Sequence, residues 1–540
     1  MITKETYAWI EELLNPEITE ISDGDYNRLV KDYFQEDKRD WYKKNTADII
    51  VKNLNFWRLI RKFSMPRGKK NRLYNFSSFV FPAFQNFGKK GSKLFWKDTN
   101  NQSFSLKVNF DGAHFLGKSI FTDVIFDNDA TFENTKFEND LIIQNCTFKE
   151  NVFFRRSNLK KLNLVSSTFS KGFHFTDNDC YDEANIVDSN FKGLTFYYDS
   201  RFHKNVNFGK LEFSGIACRF NESIFLDDVG FFECSFLHPS EFMSTIFSKK
   251  VDFVRPEFHD RVNFDGARFE SVVIFNKPIF KGITDFSYCY FEDVNFKEIN
   301  TPWRDRENYT EPIKLYFKEI FFNSNTFISN TNFEELNLNN CDVSEVRFSR
   351  CIWNDKENRL KLVNELPPKN IKTENQLKLS NENPSRKTVV ESLIKKLRDS
   401  ENHYRQLKKN FDGTKNWELS GKAYVSEMEM RKRRLWLERK YYQWFVFKFY
   451  DVFGGYTQDF KKPIVSLIGL ILVFSALYFF IDYDISRALQ RGVKGALPYM
   501  QIDTENPFEG YWLILRNLEL VLGGTFLAFF VLALRKRFKQ

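Results

Sequence analysis

The sequence predicts a mainly β chain, in which a parallel β-solenoid runs on into a helical hairpin and two transmembrane helices. Three observations predict it: an aromatic residue at every fifth or sixth position through the middle of the chain, helical periodicity after that, and two long apolar runs near the C-terminus. The 540 residues (64.5 kDa) exceed a single core, which rarely grows past roughly 250–300 residues. Phenylalanine supplies 63 positions while Gly and Pro stay at 23 and 14, which excludes disordered and collagen-like chains. A mean hydropathy of −0.46 excludes a polytopic membrane protein and leaves room for a few spans.

Residues 1–72 lack the repeat and read as a helical cap, since the end of a solenoid needs covering. The opening MITKETYAWIEELLNPE has acidic residues and Pro16 where an export signal needs an apolar stretch, so the bulk of the chain is expected in the cytoplasm. The solenoid is expected over 73–353. Its clearest stretch places rings at Phe225, Phe231, Phe236, Phe242, Phe247, Phe253, Phe258, Phe264, Phe269, Phe275, Phe280, Phe286, Phe291 and Phe296. Two positions before these rings sit small or β-branched residues such as Val251, Val262, Ala267, Val273, Thr284 and Val294. In a strand, residues i and i−2 share a face, so each unit points one large and one small residue inward. A five- or six-residue period fits neither a helix nor one long strand. The chain has to turn a corner in every unit and coil, each side stacking on the next at about 4.8 Å. Phe253, Phe258, Phe264, Phe269, Phe275, Phe280, Phe286 and Phe291 are expected in the core.

The units VDFVRPEF, VNFDGARF and TDFSYCYF, and the pure fives of LNLNNCDVSEVRFSRCIW, resemble the pentapeptide-repeat family. The resemblance covers about half the chain and implies a right-handed, quadrilateral β-helix. Here much of the chain runs on an eleven-residue double unit with Phe rather than Leu inside. A left-handed hexapeptide helix would demand strict sixes with aliphatic fillers. About 250 residues at roughly 20–22 per coil imply on the order of 12 coils.

Of the seven cysteines, Cys146, Cys218, Cys234, Cys289, Cys341 and Cys351 fall in the small inward slot and Cys180 at or near a large one. They read as buried gap-filling thiols rather than a disulfide framework or metal site. His114, His174, His203, His238 and His259 read as surface residues. An insertion at about 297–326 is expected to break the wall with a short helix at IKLYFKEIFF.

A polar linker over 354–388 leads to a helical hairpin and juxtamembrane helix over 389–460, with a turn at Asp412–Thr414 and a second helix running to Gly454 and Gly455. YRQLKKNF and WELSGKAYVSEMEMRKRR are similar to the segment before the two spans in membrane-anchored bacterial members of the family. The matching positions are Tyr404, Arg405, Leu407, Lys408, Ala423, Tyr424, Glu427, Met428 and Glu429. Glu427 and Arg431, four apart, form an expected surface pair. Residues 386–462 hold 19 Lys/Arg against 10 Asp/Glu. Arg431, Lys432, Arg433 and Arg434 are expected to meet anionic headgroups, with the aromatic run Tyr441–Phe453 in the interface plane. A nucleic-acid reading of these residues is disfavoured beside a membrane.

Over 461–540 a two-span hairpin is expected: Ile464–Ile481 is eighteen residues without charge, and Leu520–Leu534 is unbroken. Lys461 and Lys462 before the first span, with Arg535, Lys536 and Arg537 after the second, predict two passes of a cell inner membrane with both termini cytoplasmic. Arg516, Asn517 and Glu519 sit at the head of the second span, where an ionisable residue is a candidate for function.

No phosphate-cradling loop, nucleophile elbow or metal-ligand spacing is present, so no catalytic residue, cofactor or metal is expected. The leading expectation is a membrane-anchored scaffold for an unidentified cytoplasmic protein. The alternative is a homo-oligomeric channel or membrane-disrupting effector gated by the solenoid, although a potassium-type filter motif is missing. Third comes a DNA mimic that binds topoisomerase. Residues 101–300 carry 22 basic against 29 acidic residues, a mild excess for that role.

Overall fold

The computed structural model describes residues 4–35, 54–64, 73–82, 85–86, 103–299, 315–320, 322, 325–333, 336–355, 358–362, 365, 386–497 and 510–538. The chain divides into two compact units, 1–352 and 353–540.

The first unit is the solenoid. Each coil lays four short parallel sides, and each side pairs with the same side of the next coil, typically twenty-two residues on. Val229 pairs with Val251 and Val251 with Val273, and on the next side Ser235 pairs with Glu257 and Glu257 with Ile279. Twelve strands make one ladder among the described residues, from Leu73–Asn75 to Asn337–Asn339. Elsewhere one strand turns a corner and serves two sides. Lys136–Gln144 pairs with Ser119–Thr122 and with His114–Phe115, and its register shifts between Phe137 and Asp140.

Inside, the large residues stack in columns. Phe242 lies 4.8 Å from Phe220 and 4.8 Å from Phe264 in near-parallel stacks, and meets Phe231 and Phe253 edge-on. The eight rings expected in the core, Phe253 through Phe291, are all buried. Stacked rings of one size keep successive coils in register, because a one-residue slip would turn every ring outward.

The eleven-residue double unit has a backbone cause. Residues 112, 123, 134, 145, 156, then 166, 177, 188, 199 and 210, and later 222, 233, 244, 255, 266 and 277, have left-handed φ. Every second corner is thus left-handed. Gly112 and Gly266 take it freely, and Asp123, Asn134, Asn145, Asp177, Asp188 and Asp199 belong to the types that tolerate it best.

At such a corner the next N–H turns into the tube, and a polar side chain from the following coil receives it. Thr135 N donates to Ser157 Oγ (3.0 Å), Ser157 N to Asn178 Oδ1 (2.9 Å), Asn178 N to Ser200 Oγ and Ser200 N to Ser223 Oγ (both 3.2 Å). Ser157 Oγ in turn donates to the Phe132 carbonyl at 2.5 Å. Many of the small slots after left-handed corners accordingly hold hydroxyls, an amide or thiols, while Ala113, Val124, Leu211 and Ala267 fill others. Cys146, Cys234 and Cys289 donate Sγ–H to the carbonyls of Phe121, Phe208 and Phe264. Burial pushes the Cys146 and Cys234 thiols up to about 12, far from reactive thiolates. Cys180 fills a large slot between Leu159 and Phe202. Ser157→Ala is expected to cost about 1–3 kcal/mol by orphaning two buried backbone groups. Faster hydrogen exchange at the Thr135 amide would register it.

The expected helix in the insertion is corrected. Leu315–Lys318 is a strand in the wall, Phe317 stacks on Phe286 at 5.5 Å and Phe322 on Phe291 at 6.1 Å. Leu315, Phe317, Ile320 and Phe322 repeat the small/large pair at an interval of five, and stacking on the existing coil outweighs local helical preference. The wall continues, and 300–314 lies outside the described residues. At the other end, helices α1 (Lys4–Leu13) and α2 (Asp23–Leu29), a π-helical turn and residues 54–64 cover the first coil, where Phe34 stacks on Phe79 at 4.8 Å and Trp57 on Phe81 at 5.7 Å.

The second unit is helical: α3 (Arg386–Gly413), α4 (Trp417–Leu437), α5 (Tyr441–Gly454), α6 (Lys461–Asp482), α7 (Ile485–Ala496) and α8 (Tyr511–Phe538). The single helix expected to reach Gly454 is two, divided where Arg439 turns left-handed. Trp353, expected to close the solenoid, belongs here and packs edge-on to Phe411. Part of the expected linker also packs: Leu360 and Leu362 are buried, and Tyr404 Oη accepts the Leu362 N–H at 2.9 Å.

Candidate functional site

Most outward positions on the solenoid are polar, but one side carries a row of rings. Phe153 stacks on His174 at 4.7 Å and His174 on Phe196 at 5.1 Å, while the guanidiniums of Arg155 and Arg219 lie over Phe153 and Phe196. Burial lowers the His174 pKa, with Arg155 adding to it, so this ring is neutral at pH 7 and stacks as an aromatic. The remaining histidines of the wall find local partners: His114 meets Glu138, His203 meets Asp179 and His259 meets Glu257, while His238 is exposed.

In the helical unit the resemblance positions converge. Arg405 bridges Glu401 and Glu427, Tyr404 Oη donates to Glu365 at 2.8 Å, and Arg359 holds Glu365 with two bonds of 2.7 Å. The cluster Arg431–Arg434 belongs to this network, which corrects its expected role at headgroups. Arg431 and Arg434 bind Glu401, Lys432 binds Glu429 and Asp451, and Arg433 binds Glu429 and Glu365. Glu401 is 3% exposed, and releasing its cations to lipid would strand a buried carboxylate. Burial opposes ionisation of Glu429, yet Lys432 and Arg433 beside it hold its pKa below the usual range. The long-range partners, Glu365 and Glu401, carry no local signal in the sequence.

His403, which sequence reasoning did not single out, is buried in α3, and its Nδ1 has no hydrogen-bond partner among the described residues. Burial pushes its pKa down to about 4. A depressed imidazole stays neutral in the fold while the unfolded chain takes up a proton near pH 6.5. Stability is therefore full above that pH and falls, by up to about 3 kcal/mol, as pH drops toward 4. His403→Leu should flatten this part of the pH–stability curve in thermal melts.

The apolar helices α6 and α8 enclose α7. Leu470, Phe474, Tyr478, Ala488, Ala496 and Phe526 form their shared core. Asp484 caps α7 through the Ser486 and Arg487 N–H groups, and the helix folds back along α6, since a Cβ on Gly492 would lie 2.9 Å from the carbonyl oxygen of Ile471, midway along α6. A Cβ on Gly495 would fall on the Glu519 carboxylate, and one on Gly523 on the Ala496 carbonyl. Glu519 is fully buried and accepts a 2.7 Å bond from Tyr478 Oη, while its Oε1 has no partner among the described residues. Of the other two residues singled out at the head of this helix, Arg516 is half-buried and Asn517 exposed. Lys461, Lys462, Arg535 and Lys536 are exposed near the opposite ends of the helices; Arg537 lies in the last turn of α8.

These features define the class: a parallel β-solenoid followed by two helices long and apolar enough to cross a membrane, with only 22% of each apolar window buried. Residues 110–158 and 242–289 match the model of the family described as pentapeptide repeats, in nine copies. Those stretches are pentapeptide repeats, and they lie within the parallel β-solenoid. No curated protein and no solved structure matches it.

Proposed function

We propose that the protein is a membrane-anchored, non-catalytic scaffold whose solenoid stands in the cytoplasm and binds a cytosolic protein. The observation that carries this reading is the outward row Phe153–His174–Phe196, flanked by Arg155 and Arg219, because aromatic and arginine side chains dominate the binding energy of protein interfaces. The basic residues near the ends of α6 and α8 support two passes of the inner membrane with both termini inside. A photo-crosslinking phenylalanine analogue at position 196 of the full chain in native membranes tests it. One discrete adduct there, and none at Asn263 on the same wall, is the expected result; identical patterns at both positions would sink the reading.

One observation favours a second reading. α7 is a half-length helix folded between two apolar helices beside a buried carboxylate, and irregular backbone at membrane depth is tolerated where it lines a cavity or packs in protein. A homo-oligomeric channel built on this hairpin would conduct in planar bilayers and lose conductance in Glu519→Leu. A silent bilayer would remove it.

A further inference from the structure

Below α6 and α8 the helical unit holds a cavity of about 1250 Å³, walled by α4, the turn joining α5 to α6, and the last turns of α8. Its charge is uneven in one specific way. The five wall carboxylates are all engaged: Asp412 by Ser420 and Lys408, Glu418 by Lys422, Glu429 and Asp451 by Lys432, and Asp459 by the Lys461 N–H. The ammonium groups of Lys461 and Lys536 pair with no carboxylate among the described residues. Lys536 instead lies 4.7 Å from the centre of the Tyr424 ring, and Lys408 lies 5.7 Å from the same ring. Two cations share one aromatic ring, so positive charge gathers along the cavity wall without a full set of counter-ions.

Two further features are independent of that charge. Tyr456 lines the cavity with its side chain 1% exposed, and its hydroxyl has no hydrogen-bond partner among the described residues. A buried donor left idle beside the cavity points to a group that arrives from outside. Tyr456 and its neighbours Gly455 and Thr457 are also in succession left-handed, with φ of 52°, 51° and 57° from Gly455 onward. Such backbone is costly for Tyr and Thr and persists where surroundings over-determine it, often at ligand clamps. Lys461 opens α6 and Lys536 lies in the closing turns of α8, which is where both apolar helices leave the hydrocarbon if they span it.

We propose that this cavity binds the phosphate of an anionic phospholipid headgroup, held by Lys461 and Lys536 with the Tyr456 hydroxyl donating, while the acyl chains lie along the apolar helices. The proposal rests on the membrane reading above. Full-length protein would be reconstituted in nanodiscs of mixed phosphatidylcholine and phosphatidylglycerol, released, and weighed by native mass spectrometry. One retained phosphatidylglycerol per chain is expected, with retention at least ten-fold lower in Lys461→Gln/Lys536→Gln and unchanged in Arg535→Gln. Equal retention of both lipids, or retention indifferent to the double substitution, would overturn the proposal. So would a rise in melting temperature with inorganic phosphate alone, absent in the double variant and unaccompanied by lipid retention, since the source would then be a soluble anion. If the chain fails to enter nanodiscs at all, the membrane reading fails instead.

Discussion

Phe242→Ala is expected to destabilise the solenoid by about 3–5 kcal/mol, the usual cost of removing a buried ring that its surroundings cannot collapse to replace. Collapse is restricted here because Phe220 and Phe264 are held at 4.8 Å on either side by the strand ladders above and below. The loss is local before it is global, since each coil touches only its neighbours. Hydrogen exchange should quicken first in the strands Ser240–Glu241, Cys218–Arg219 and Val262–Asn263, and the melting temperature of the β signal should fall. Phe153→Ala, at an outward ring, serves as the contrast and should move it little. Equal effects of the two would mean that the columns do not hold the fold.

Gly523→Leu should drive α7 out from between the apolar helices. A side chain at 523 meets the Ala496 carbonyl, which is backbone and cannot swing aside. Displacement would also uncover Glu519, whose carboxylate abuts Gly495. Ala488 is 2% exposed, so Ala488→Cys should resist a water-soluble maleimide in the parent and react at least ten-fold faster once Gly523→Leu is added. Six of the seven native cysteines are buried, and the partly exposed Cys351 is replaced by Ser in both proteins. Slow labelling in both proteins would show that α7 does not depend on the glycine contact.

The solenoid was legible because its signal is repeated: an inward ring such as Phe253 announces itself again at Phe275 and Phe296. The same arithmetic reads Phe317 and Phe322 as the next rungs, but a run of apolar and charged residues beside an insertion imitates a helix. What the repeat could not convey was why some inward slots are Ser, Thr, Asn or Cys, because that depends on left-handed corners that no single residue type marks. In the helical unit, Arg431–Arg434 looked free for lipid only because Glu365 and Glu401 lie far away in the chain. The fold-back of α7 left a faint trace, with Asp484 as its cap and Ile485, Ala488, Leu489, Gly492 and Ala496 at helical spacing, too short to stand out beside two longer runs.

The twenty-two-residue offset bears on how such a chain changes length over generations. Phe231, Phe253 and Phe275 occupy one column at 4.7 Å steps, with Val229, Val251 and Val273 in the slots before them. Loss of the block 229–250 would seat Val251 where Val229 had been, opposite Val206, and each inward ring would again lie on a phenylalanine, Phe253 on Phe208 and Phe264 on Phe220. Duplication or deletion of one block thus moves the ends of the wall by about 4.8 Å and leaves the ring columns packed as before. Reach is inherited in whole steps, as on a ratchet.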